Sequence, residues 1–441
     1  MPTAPATEHV VPAPERATTR APLAGSRHGR QPAHAALRMR RVRHARLLGV
    51  LLFSAAAGCA AGCAADTASL ADAQAELALD DDALEKRALR AQLEAVRAPD
   101  QVVGLSAEVW TPEGRERARV GSNDPERSTP LPWGAQFRIA SVSKTFTAVV
   151  VLQLVQESKL SLSDSVERWL PGVVAGAGNN GAAITVQQLL RHQSGLNNYL
   201  EAPALGALLA SVEAFQTHRF DTYSQADYVA LAMAQAPLFA PGEAFAYSNT
   251  NYLLLGMIIE AVTGQRWREQ VERRIIAPLR LINTYVPGYG PFLVGPHVRG
   301  FASFPGSEQL VDVTDNSLIS GADAGLVSNL SDLNRFFQAL LRGELLSPAL
   351  LRAMQDSVVI DNPAFPDGRY GLGLQWSPLS CGGGYWHHTG DTLGYSVWTG
   401  VTNDGSRSVA VVANSPVESE RAASAATRLI DRALCALPSH E

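Results

Sequence analysis

Lysine is nearly missing from this chain. Only Lys86, Lys144 and Lys159 occur among 37 basic residues. Lys144 sits inside the apolar stretch "SKTFTAVVVLQLVQESKL". A lysine kept there in an arginine-using chain suggests that a titratable amine is wanted, which arginine cannot supply. Cysteine is also scarce, four in 441 residues, which excludes a disulfide-dense scaffold. No His-Glu-x-x-His stretch and no internal repeat occurs, so neither a zincin site nor a solenoid is in view. An apolar content of 46% with 18% charged residues describes a soluble globular protein with room for two domains.

Residues 1–65 read as an upstream extension followed by an export signal. Met39 opens a basic segment, Arg40, Arg41, Arg43 and Arg46, and Leu47 to Ala57 form an apolar region too short for a stable membrane anchor. Translation is expected to start at Met39. Cys59 and Cys63 each follow Ala-Gly and are lipidation candidates. The residue three before each is Ala, not the usual Leu, so lipidation and plain cleavage both stay open. The expected location is periplasmic or cell-envelope, with possible membrane attachment through an N-terminal lipid. Without residues 1–46, nine arginines and two glutamates are lost and the formal charge goes from −5 to −12. Such an acidic chain argues against nucleic acid as a partner.

Residues 66–82 read as a tether and residues 83–97 as a helix ended by Pro99. The stretch "VVGLSAEVW" alternates, with Val103, Leu105, Ala107 and Val109 on one face, which predicts a half-buried strand; a second follows the turn at "TPEG". From Ser143 a helix apolar nearly all round is expected to be buried. Further strands are expected at 370–376, 384–390, 395–402 and 408–415, then a helix from about Ser419 to Leu434. Residues 83–140 and 318–441 thus read as an α/β domain. Residues 141–317 read as a mostly helical domain inserted between its halves.

Ser141 and Lys144 lie three apart where a loop becomes the buried helix, so they share one face. Free N–H groups at the helix start favour an alkoxide on Ser141, and burial lowers the Lys144 pKa toward a usable base. Tyr247 and Asn249 precede another helix, where Asn249 or Thr250 could simply cap it. His387 and His388 are adjacent in a strand, point to opposite faces and cannot chelate one ion together. Cys381 and Cys435 can form a disulfide in an exported protein or remain two buried thiols.

Taken together, Ser-x-x-Lys, Tyr-x-Asn and His-Thr-Gly in this order resemble the penicillin-binding and class C β-lactamase superfamily of serine hydrolases. The chain looks most like its serine D-alanyl-D-alanine carboxypeptidases. The resemblance runs from about Leu84 to Cys435 through "FRIASVSKTFTAVV", "ITVQQLLRHQSGL", "APGEAFAYSNTNY", "YGLGLQW" and "HHTGDTLGY". It implies an α+β, β-lactamase-like fold, with an antiparallel sheet built from both chain ends and flanked by helices. It implies that Ser141 forms an acyl-enzyme while Lys144 and Tyr247 shuttle the proton. Asn249 would orient the acyl amide, His388 would add partial positive charge, and Thr389 and Gly390 would line the substrate strand. The backbone N–H groups of Ser141 and Asp391 would form the oxyanion hole. Cys381 and Cys435 match a disulfide of that group. No metal or organic cofactor is implied, and the molecule reads as a monomer acting on D-Ala-D-Ala peptides, β-lactams or esters.

Two positions depart from the pattern. Where the carboxypeptidases carry an arginine after "GLGL" to hold a substrate carboxylate, this chain has Gln375. Where a hydroxyl residue follows Thr-Gly, it has Asp391. Two like charges about 4 Å apart cost roughly 1–4 kcal/mol, and a lost charge-assisted hydrogen bond roughly 1.5–3 kcal/mol. A carboxylate substrate would be weakened unless another cation, such as Arg369, compensates. An esterase, amidase or aminopeptidase therefore stands beside the carboxypeptidase reading. A β-lactamase and a non-catalytic envelope lipoprotein are further alternatives.

Overall fold

Among the described residues, the nine strands of the main sheet come from the two ends of the chain. In this computed structural model, which describes residues 87–307, 309–360 and 367–435, the first hairpin is β1 (Gly104–Thr111) and β2 (Gly114–Gly121). The remaining strands are β3 (Val358–Val359), β4 (Arg369–Tyr370), β5 (Gln375–Pro378), β6 (Gly384–His387), β7 (Thr389–Thr392), β8 (Tyr395–Thr402) and β9 (Ser408–Ala413). The order is β2-β1-β9-β8-β6-β5-β4-β3, with β7 also on β8. All pairings are antiparallel, and β1 lies directly on β9 through pairs such as Ala107↔Val411. The expected export signal, Met39, Cys59, Cys63 and the expected tether lie outside the described residues.

Helices close both faces of the sheet. A helix over 87–100, α1, packs through Leu89, Leu93 and Val96 onto Leu105, Val109 and Val411. The C-terminal helix α5 (Glu420–Cys435) joins the same cluster through Ala426, Leu429 and Ile430. On the other face lies α4 (Leu330–Leu341). Its Phe336 stacks on Phe146 of α2 (Ser143–Gln156), and α3 (Asn249–Thr263) packs into the same core. A disulfide joins Cys381 to Cys435, with their Cα atoms 5.7 Å apart, and ties α5 to the β5–β6 connection.

Three expectations change. The strand β1 is buried on both faces, not half-buried, because α4 covers its polar side. There the Glu108 carboxylate accepts from Trp110 Nε1 at 2.7 Å and from the Ser331 hydroxyl. The helix α1 runs to residue 100, past Pro99, and stops at Gln101 with φ 50; a proline in the last turn removes only one helical bond. The stretch at 370–376 is a hairpin, not a strand. Gly371 N–H donates to the Leu374 carbonyl at 2.8 Å. At Gly373, with φ +78, a Cβ would meet Ala148 at 2.5 Å, so only glycine fits against α2.

Candidate active site

Ser141 stands on a tight turn that its neighbours force open. Ala140 before it takes a left-handed φ of 48, uncommon for a residue with a Cβ. A single 3-10 turn, Ala140–Val142, then feeds α2. No side chain caps that helix start, so Ser141 is not spent as a capping residue. The turn rests against Gly390 of β7. A Cβ there would lie 2.4 Å from the Ile139 carbonyl and 3.1 Å from Ser141 N. The glycine is thus what lets the strand edge approach the serine turn.

Lys144 is completely buried, one helical turn on from Ser141. Its ammonium donates to Ser141 Oγ at 3.0 Å, Asn249 Oδ1 at 2.6 Å and the Asp323 carbonyl at 3.0 Å. Burial pulls its pKa down to about 8, while the Asp323 carboxylate pulls the other way. Asp323 is itself buried, which raises its carboxyl, and Lys144 and the Tyr199 hydroxyl, 2.8 Å away, oppose that rise.

Tyr247 and Asn249 enter from the start of α3. The N-cap is Ser248, not Asn249 or Thr250. Asn249 donates its backbone N–H and its Nδ2 to Asn198 Oδ1, each at 3.3 Å, which leaves its Oδ1 turned to Lys144. The Tyr247 phenol is held well above its usual pKa by burial and by Tyr370, against a bond with the Ser141 hydroxyl. It stays protonated at neutral pH.

The third wall is the strand 384–392. The registers of β6 and β7 against β8 are continuous, and the break at His388 has a single cause. The Thr399 hydroxyl accepts the His388 N–H at 3.1 Å and donates to its carbonyl at 2.8 Å, replacing the backbone ladder. Past His387 the strand has no partner on the β5 side among the described residues, and His388, Thr389 and Asp391 all line the cleft. His387 points away, to Ser377 and the Tyr385 ring. His388 does not carry the expected positive charge: burial, with Lys144 nearby, drives its pKa to about 3.

These walls enclose a cleft of about 520 Å³ lined also by Phe245, Ile360 and Gln375. Gln375 is 7% exposed, and its Oε1 has no hydrogen-bond partner among the described residues. Asp391 is exposed at the rim; the crowded walls raise its carboxyl and Ser396 opposes the rise. Arg369 does not line the cleft; its guanidinium bonds Ser357. No group of three or more metal-ligating side chains is present among the described residues. Sequence reading missed Asp323, Tyr199 and Asn198, and also His192 and Tyr370 behind His388. None lies in a spaced motif; "RHQSGLNNYL" and "YGLGLQW" hold four of them without marking them.

The same fold recurs in known proteins. The Beta-lactamase family matches residues 89–434, so the chain belongs to this family, whose members are serine hydrolases. It is 38% identical to a D-stereospecific amidohydrolase from Streptomyces sp., with a TM-score of 0.73 over 80% of this chain and 99% of that one. A D-amino acid amidase from Ochrobactrum anthropi SV3, solved with L-phenylalanine amide, is 25% identical with a TM-score of 0.67 over 79% of this chain and 96% of that one. A penicillin-binding protein of Bacillus subtilis is 29% identical over 60% of this chain, and the match covers only 58% of that relative's length.

Proposed function

We propose that the chain hydrolyses amides of D-configured amino acids through an acyl-enzyme on Ser141. The observation that carries this reading is that Asp391 and the Gln375 carbonyl, which has no partner among the described residues, both line the cleft beside Ser141. Both oxygens favour a hydrogen-bond donor or a cation, such as an α-ammonium, and repel a carboxylate. The similarity to a D-stereospecific amidohydrolase and a D-amino acid amidase supports the same substrate class. Phe245 and Ile360 offer an apolar wall for a side chain.

In the reaction, neutral Lys144 takes the Ser141 proton as Oγ attacks the amide carbon. Tyr247, protonated at neutral pH, hands a proton to the leaving amine and is reprotonated from Lys144. The backbone N–H groups of Ser141 and Asp391 hold the oxyanion, and Asn249 orients the acyl part. Water then cleaves the ester and Ser141 regains its proton. We infer further that residues 39–65 direct export, leaving the mature chain either cleaved free or lipid-anchored at Cys59 or Cys63. N-terminal sequencing of the envelope fraction tests this, and an uncleaved chain would refute it.

The similarity to a penicillin-binding protein favours a second reading, D-alanyl-D-alanine carboxypeptidase activity. One panel separates the two: D- and L-phenylalanine amide, a peptide ending in D-Ala-D-Ala, a simple ester and a chromogenic cephalosporin, with wild type and Ser141→Ala. Preferred release of ammonia from the D-amide, lost in Ser141→Ala, is expected. D-alanine release without amide turnover would sink the first reading.

A further inference from the structure

Behind the cleft wall, three buried rings form a hydrogen-bonded chain that the acyl-transfer steps leave unused. His192 is fully buried and held at a left-handed φ of 55. Its Nδ1 lies 3.1 Å from the Ser248 backbone nitrogen and 3.1 Å from Asn251 Nδ2. The Ser248 N–H can only donate, so Nδ1 is the acceptor and the ring proton sits on Nε2. The Asn251 amide agrees, because its Oδ1 is taken by the Ser194 hydroxyl at 2.6 Å. His192 Nε2–H therefore donates to Tyr370 Oη, 3.1 Å away. The Tyr370 hydroxyl donates a hydrogen bond to His388 Nε2, again at 3.1 Å. His388 must then carry its proton on Nδ1, which donates to the Thr389 carbonyl at 2.6 Å.

The two ends fix the polarity: the Ser248 N–H can only donate to His192 Nδ1, and the Thr389 carbonyl can only accept from His388 Nδ1. Both nitrogens of His388 face inward partners, so the ring is neither the base nor a cation presented to substrate. What it does hold is the Thr389 carbonyl, next to the glycine that seats the Ser141 turn. We propose that His192 and Tyr370 are positioning residues: they lock His388 in its Nδ1–H form and, through it, fix the β7 edge against Ser141. This rests on the reading of Ser141 as nucleophile.

The test has two arms. In protein labelled with ring-¹⁵N histidine, His388→Gln and His192→Gln assign the two signals. His192 is expected as the Nε2–H form and His388 as the Nδ1–H form, neither titrating between about pH 5.5 and 8. An Nε2–H form at His388, or its titration in that range, overturns the proposal. In the second arm, labelling of Ser141 by a fluorophosphonate is timed. Tyr370→Phe keeps the ring and removes one hydroxyl. It should slow labelling about 10- to 100-fold while the fold is retained by circular dichroism. Adding His192→Gln should slow it no further, since a chain cut twice is cut once. Wild-type rates in Tyr370→Phe, or independent losses that multiply, overturn the proposal. Should wild type resist labelling altogether, the acyl-enzyme reading fails and the tautomer arm alone decides.

Discussion

In the proposed mechanism Lys144 serves as base only when neutral, and burial brings its pKa down to about 8. Below that value the amine is protonated and kcat/KM should fall about tenfold per pH unit; above it the rate should level off. A pH profile of amide hydrolysis checks this. Asp323 pulls the pKa upward, so Asp323→Asn should shift the acid limb to lower pH. A limb that stays in place would show that Lys144 is not the group titrating. Gly390→Ala is a sharper test of geometry. Its Cβ would sit 2.4 Å from the Ile139 carbonyl and push the Ser141 turn aside. A loss of about 100-fold in kcat/KM is expected, with little change in melting temperature.

At the scale of elements, Thr399 stitches β8 to the strand beside it where the backbone ladder lapses. Thr399→Val keeps the shape and leaves the His388 N–H and carbonyl buried without partners. Urea denaturation should show a loss of about 2–4 kcal/mol. The sequence told much here and misled in definable places. Ser141, Lys144, Tyr247, Asn249 and His388 were legible because short motifs fix them along the chain. Asp323, Tyr199 and His192 were not, since folding alone brings them beneath the motif residues. Strand β1 read as half-buried because Ser106 and Glu108 alternate with apolar residues. Nothing local announces that α4 will cover them and supply Ser331 to the Glu108 carboxylate. "GLGL" read as strand because its leucines alternate, while Gly373 makes the turn.

For the whole molecule, the disulfide closes a loop of 54 residues. In the chain-entropy view this contributes about 4 kcal/mol. Urea midpoints with and without reductant should differ accordingly. Neither Cys381 nor Cys435 lines the cleft, so turnover by the molecules that remain folded should not change. The pairing of β1 with β9 has another bearing. Leu105 meets Ala413 across about three hundred residues of intervening chain. During synthesis β1 and β2 emerge early and wait, with the inner edge of β1 unpaired, until the last strand appears. Contacts this distant form slowly and leave an aggregation-prone edge meanwhile. The Ser141 turn likewise waits for Gly390, so an unfinished chain has the proposed nucleophile but no wall to work against. A hydrolase built this way stays silent until it is whole, and its partly made form needs shelter more than restraint.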